Sequence, residues 1–189
     1  CSPDFGAGGA LDRFGQIEPR VLFACDGYHY NGKVVSTVDT MLEVASQIPS
    51  IESIVWVSLL DTEPPANGTS FSSLLRSSAE AEDAELNFVQ RRFNEPLYVM
   101  YSSGTTGKPK CIVHGIGGTL IQHLKEHQLH TDLTRDDKLF FFTTCGWMMW
   151  NWLVSALATG CTLILYDGSP FHPKPDALLD MADREGVTI

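Results

Sequence analysis

The stretch Tyr101-Ser-Ser-Gly-Thr-Thr-Gly-Lys-Pro-Lys110 concentrates anion donors at the end of an apolar run, residues 97–101, that reads as a strand. Gly104 and Gly107 let backbone N–H groups approach an anion with no side chain in the way. Ser102, Ser103, Thr105 and Thr106 add hydroxyls, and Lys108 and Lys110 add positive charge. Such a loop suits a di- or triphosphate. It is not the Walker loop, which needs Ser or Thr directly after Gly-Lys; here Gly107-Lys108 is followed by Pro109. The bland alternative is a flexible Ser/Thr/Gly turn between strands.

Working outward, residues 117–130 read as a helix, and 138–144, 152–158, 161–166 and 176–185 continue as strand, helix, strand and helix. Upstream, residues 11–17 suit a short helix and 20–25 a strand, and Asn31-Gly32 marks a tight turn. Val38, Met41, Leu42, Ala45 and Ile48 follow helical spacing, and 54–60 reads as a strand. This alternation predicts an α/β fold, with mostly parallel sheet layers flanked by helices. Three portions are expected: a β-α-β portion over 1–60, a connector over 61–95, and a phosphate-loop and acyl-pocket portion over 96–189. The connector holds Pro64-Pro65, Asn67-Gly68 and an acidic patch at 80–85, read as solvated surface.

Composition excludes several classes. The 189 residues suffice for one sizeable core, and 43% hydrophobic with 19% charged residues is a globular balance. A net charge of −10 offers no basic field, so no nucleic-acid partner is expected. Residues 139–166 lack any charge, a length that would span a bilayer. Gly146, Asn151, Thr159 and Gly160 break that run where turns would fall, so a buried strand–helix–strand unit is expected and no membrane span. The five cysteines form no CxxC pair and read as reduced, buried thiols of a cytosolic protein. The chain opens on Cys1 and stops in the strand-like Val187-Thr-Ile189, so it is expected to be part of a longer protein.

The loop, its continuation Cys111-Ile-Val-His114-Gly and the pair Gly117-Gly118 resemble the phosphate loop of the acyl-adenylate-forming superfamily. That superfamily comprises acyl-CoA synthetases, luciferases and peptide-synthetase adenylation domains. Phe142-Thr-Thr-Cys-Gly-Trp-Met-Met-Trp-Asn151 is similar to the acyl-pocket segment of its short-chain acyl-CoA synthetases, and Leu165-Tyr-Asp-Gly-Ser-Pro170 to the strand and turn that follow. Ser2-Pro-Asp-Phe-Gly6, Leu11-Asp-Arg-Phe14, Gln16-Ile-Glu-Pro19, Tyr30-Asn-Gly-Lys33 and Gly118-Thr-Leu-Ile-Gln-His-Leu-Lys-Glu-His127 narrow the likeness to the acetoacetate-activating branch. It covers nearly the whole chain and is weakest over residues 61–94.

The resemblance implies part of a large N-terminal domain, with the small C-terminal domain absent. It implies ATP and Mg²⁺, acetoacetate as the acid and coenzyme A as the acceptor, in a cytosolic ligase serving lipid synthesis. Acetate or propionate as the acid, and a non-catalytic truncated product, are the alternatives. By the same resemblance Ser102, Ser103, Gly104, Thr105, Thr106 and Gly107 cradle the ATP phosphates, and Lys110 closes the loop and acts in catalysis. Trp147, Met148 and Met149 shape the acyl pocket, although each also reads as core. The family's ribose-binding Asp, adenylation Lys and Mg²⁺-holding acid all fall on motifs absent from these residues, so the isolated chain is expected not to complete the reaction.

His123, His127 and His130 share a helical face at i, i+4 and i+7, a spacing that can hold zinc. No Cys or carboxylate accompanies them at ligand spacing, and Lys125 and Glu126 read as marking a solvated helix, so no metal ligands are assigned. His114 follows the loop closely enough to line a nucleotide site, or to pack as core.

Overall fold

The computed structural model describes residues 1–63, 65–79, 87–102 and 107–189. Strand β1 (Val21–Cys25) lies parallel to β2, our label for Ser53–Val57, in the register Val21↔Ser53 to Cys25↔Val57. Leu22 and Ala24 of β1 alternate with exposed Val21 and Phe23, whereas Ile54, Val55 and Trp56 of β2 are all buried, so β2 is covered on both faces. Between them run a hairpin and a crossover helix.

The hairpin pairs β3 (Gly27–Tyr30) with β4 (Lys33–Ser36). Asn31 and Gly32 at its tip have φ of +50° and +76°, the two left-handed positions that an Asn-Gly hairpin turn uses. The crossover helix α2 (Val38–Gln47) follows α1 (Ala7–Phe14) in chain order. Val38, Met41, Leu42 and Ala45 of α2 cover the β1–β2 cluster. Val44 and Ile48 meet Ala10 of α1 instead, so the two helices share a second apolar seam. A short strand β5 (Thr69–Ser70) extends β2 in parallel, and α3 (Phe71–Ala79) lies within the connector expected over 61–95. The acidic patch at 80–85 lies outside the described residues.

The turn after β2 is organised by one carboxylate. Asp26, buried between β1 and β3, accepts from the N–H of Leu59 at 2.8 Å, of Leu60 at 3.1 Å and of Thr62 at 3.3 Å. It also accepts from the hydroxyls of Thr62 at 2.7 Å and Ser58 at 3.0 Å. Burial alone would raise its pKa, but these donors outweigh burial and hold the carboxyl at about 2.

In the second portion β6 (Pro96–Ser102) is paired with β7 (Lys110–Gly115), and the pair is antiparallel. The alternation of elements points to parallel strands here, but the connection over 103–109 is too short for a crossover, so the strand turns back on itself. Helix α4 (Ile116–Lys125) continues into a π-helical turn, Glu126–His130, closed by Thr131 N–H donating to the Glu126 carbonyl at 3.0 Å. A parallel strand–helix–strand unit follows: β8 (Lys138–Phe140), α5 (Met148–Ser155) with a 3₁₀ turn (Ala156–Thr159), and β9 (Thr162–Ile164).

Leu133, Leu139, Leu153, Ala156 and Cys161 form the core of that unit, where the uncharged run suggests a buried unit. No helix among the described residues is long and apolar enough to cross a membrane. After α6 (Ala177–Glu185) the chain returns beside β8, with Thr188 N–H donating to Lys138 and Phe140 N–H to Ile189. The fold is therefore mixed α/β, with parallel β1–β2–β5 and β8–β9 and two antiparallel hairpins. All five cysteines are free, but only Cys161 is fully buried; Cys1 and Cys145 are exposed, against the reading of buried thiols.

Candidate functional site

The hairpin register sets Ser102 opposite Lys110, so the loop leaves and re-enters at one point, and Lys110 N–H donates to Ser102 Oγ at 3.4 Å. Ser103, Gly104, Thr105 and Thr106 lie outside the described residues. Gly107 has φ of +140°, a region reserved for glycine, and nothing lies within 4 Å of where a Cβ would stand. Its identity is demanded by backbone conformation and not by crowding.

The exit limb of the loop is tethered from α1 and the turn after it. Gln16 Nε2 donates to the Pro109 carbonyl at 2.8 Å, and Cys111 Sγ donates to Gln16 Oε1 at 3.6 Å. Lys108 faces Asp12 at 3.4 Å, an exposed pair of little energetic weight. Lys110 forms no ion pair among the described residues, and its side chain is exposed. Its ammonium is therefore the uncommitted cation of the exit limb. Tyr101, at the loop entrance, is half-buried; desolvation pushes its phenol pKa up, and it stays neutral at physiological pH.

Beside this hairpin lies a cavity of about 740 Å³ between β7, α4 and the start of α5. Val113, Met148, Met149 and Trp152 give it an apolar wall. His114, Thr119, Gln122, His123 and Glu126 give it a polar one. His114 packs on Tyr98 of the loop-bearing strand, ring centroids 5.3 Å apart. Asn151 of α5 reaches Met100 Sδ of the same strand at 3.7 Å. The helix that supplies the methionines is thereby fixed to the strand that feeds the loop.

Met148 and Met149 thus come together with His114, whereas Trp147 does not join them. It precedes α5 as its N-cap residue, is 68% exposed and lines no part of this cavity. The triplet divides at the start of α5, which Met148 and Met149 open and Trp147 precedes.

His123 and His127, on the helix face read from sequence as solvated, are buried instead. His127 Nε2 shares a hydrogen bond of 2.9 Å with Ser155 Oγ, and its ring lies 4.6 Å from that of Trp152. His130 is exposed, because the wider π-turn carries it off the shared face. Among the described residues no group of three or more His, Cys, Asp or Glu side chains converges as a metal site. Sequence reasoning missed His123, Gln122 and Thr119 as cavity residues. The signal was the histidine periodicity itself, assigned to the wrong environment by its charged neighbours Lys125 and Glu126.

The strand that leads into the loop and the cavity wall thus share one β-hairpin. The chain belongs to the AMP-binding enzyme family, whose profile matches residues 1–189. It is 47% identical to the acetoacetyl-CoA synthetase of Mus musculus, an alignment covering all of this chain and 29% of that protein. It is 46% identical to a malonamoyl-CoA synthetase of Penicillium aethiopicum, over 99% of this chain and 28% of that one. The structure of acetoacetyl-CoA synthetase from Streptomyces lividans superposes with a TM-score of 0.93 at 48% identity, covering 100% of this chain and 28% of the other. The chain therefore spans less than a third of the length of these relatives.

Proposed function

We propose that the protein containing this chain activates acetoacetate with ATP and passes the acyl group to coenzyme A. The observation that carries the reading is the fixing of the Met148–Met149 pocket to the loop-bearing strand through Asn151 and Met100. An acid in that pocket and a triphosphate on the loop are held by one hairpin, which is the positioning that a bimolecular reaction needs.

In the first step a carboxylate oxygen attacks the α-phosphorus of ATP. The bond from that phosphorus to the bridging oxygen breaks, giving acyl-AMP and pyrophosphate. Negative charge grows on the leaving pyrophosphate, where the hydroxyls of Ser102, Ser103, Thr105 and Thr106, the N–H groups around Gly104 and Gly107, and the Lys110 ammonium would stabilise it. In the second step the coenzyme A sulfur attacks the acyl carbon, the carbon–oxygen bond to AMP breaks, and the thiol proton leaves to solvent. Mg²⁺ would accompany the ATP as a charge-neutralising ion. Among the described residues no cluster of carboxylates stands ready to hold it. Five unpaired cysteines favour a reducing compartment, the cytosol.

A second reading is a different short acid with a carbonyl on its β carbon. The similarity to a malonamoyl-CoA synthetase favours it. The test is ATP–pyrophosphate exchange by the full-length protein with acetoacetate, malonamate, acetate, propionate and butyrate, followed by thioester formation with coenzyme A. Lys110→Ala is expected to slow exchange about a hundredfold or more, as loss of one charge-stabilising donor does. Exchange at the wild-type rate in that variant would remove Lys110 from the chemistry.

A further inference from the structure

His123 is 8% exposed, yet among the described residues its imidazole makes no hydrogen bond; its neighbour is the ring of His127, edge-on at 6.3 Å. It lines the cavity opposite Met148 and Met149. His127, one turn further along, has its Nε2 bonded to Ser155 Oγ and its ring against Trp152; its Nδ1 is buried without a partner among the described residues, and it does not line the cavity. The ring nitrogens of His123 are not sealed off from the cavity that it lines, so a hydrogen-bonding partner entering there can reach them.

The chemistry of that partner can be narrowed. Burial first, and the neighbouring His114 second, lower the His123 pKa, so at neutral pH the ring is uncharged and offers one N–H. An uncharged donor suits a ketone or amide oxygen, not a second carboxylate. In a short acid whose carboxylate faces the phosphate loop and whose terminus meets Met148, the remaining polar atom is a carbonyl oxygen on the β carbon.

We infer that His123 is the specificity-determining residue of this cavity, donating a hydrogen bond to the β-carbonyl oxygen of the bound acid. The inference rests on the proposed acyl-pocket reading. It adds that the pocket selects for a polar atom and not only for length. On the same wall Gln122 donates to Glu126 at 2.9 Å and Thr119 is hydrogen-bonded to the Tyr98 hydroxyl, so both are already engaged within the protein.

The test compares acetoacetate with butyrate, which matches it in length and lacks the ketone. The readout is kcat/KM in pyrophosphate exchange by the full-length protein. Wild type is expected to prefer acetoacetate, and His123→Leu to shrink that preference ten- to a hundredfold while butyrate activation changes less than about threefold. His123→Gln keeps a donor of similar reach and is expected to retain most of the preference. If His123→Leu is inactive with both acids, His123→Gln decides: retained preference supports the assignment, and a collapsed one overturns it. An acetoacetate-selective wild type whose preference survives in His123→Leu overturns the assignment and leaves the acyl-pocket reading intact. A wild type that activates neither acid overturns both.

Discussion

Asp26 lends itself to a worked perturbation, because its partners are backbone N–H groups that exchange directly reports. Its carboxylate collects the N–H groups of Leu59, Leu60 and Thr62 and the hydroxyls of Ser58 and Thr62. A fall from the ordinary 3.8 to about 2 corresponds to about 2 kcal/mol of stabilisation of the charged form. The sign is fixed by proton binding: between about pH 4 and pH 2 the unfolded chain holds more protons than the folded one. The stabilisation is therefore complete above about pH 4 and is lost as pH falls toward about 2. Asp26→Asn keeps the shape, removes the charge and turns an NH₂ toward donors. At neutral pH the turn over residues 58–62 should open with a free energy lower by about 2 kcal/mol, or exchange its amides roughly thirtyfold faster. Hydrogen–deuterium exchange on the full-length protein, read on the peptide covering 58–62, measures this. The acid profile supplies the control: wild type loses protection of this segment below about pH 4, and the variant does not change across that window. Equal protection in the two proteins at pH 7 would refute the account of this turn.

Two further substitutions address the site. Gln16→Leu removes the tether to the Pro109 carbonyl; kcat/KM for ATP in exchange assays should fall about fivefold, one neutral hydrogen bond's worth, with acid preference unchanged. An unaltered ATP dependence would show that the loop exit needs no such clamp. Met148→Ala should enlarge the apolar wall and move the optimum toward longer acids, measured as relative kcat/KM for butyrate and hexanoate; an unmoved optimum would make residue 148 core.

Much of the fold was legible because its signals are local. Asn31-Gly32 declared the hairpin, the spacing from Val38 to Ile48 declared α2, and the uncharged run from 139 to 166 declared a buried strand–helix–strand unit. The direction of β7 was not visible in element alternation, because alternation counts elements and not the length of their connections. Helix α3 was hidden in a Ser-rich segment with only a short apolar stripe, Phe71, Leu74 and Leu75. At the candidate site, Met148 and Met149 stood out as a motif, and both line the cavity. The burial of His123 was not legible, since it is α5 packing across α4 that covers a helix face flanked by Lys125 and Glu126. β1 shows the converse. Its unbroken apolar run promises burial on both faces, but Val21 and Phe23 are exposed and only Leu22 and Ala24 are covered within these residues.

The least legible feature is the role of the first sixteen residues, which reach both limbs of the site. Gln16 holds the loop exit, a contact spanning 93 positions of sequence. At the other end, Cys145 Sγ donates to the Cys1 carbonyl at 3.4 Å, and a Cβ on Gly146 would stand 3.1 Å from that of Ser2, just before α5. Between these contacts α1 is seated on α2 by Ala10, Val44 and Ile48. The β-α-β portion and the portion over 96–189, separable as sequence segments, are therefore linked in part through α1 and the residues flanking it. Their packing sets where the loop exit and the acyl segment stand relative to one another. For the proposed chemistry, in which two reactants must be held in line, that relation matters more than either motif alone.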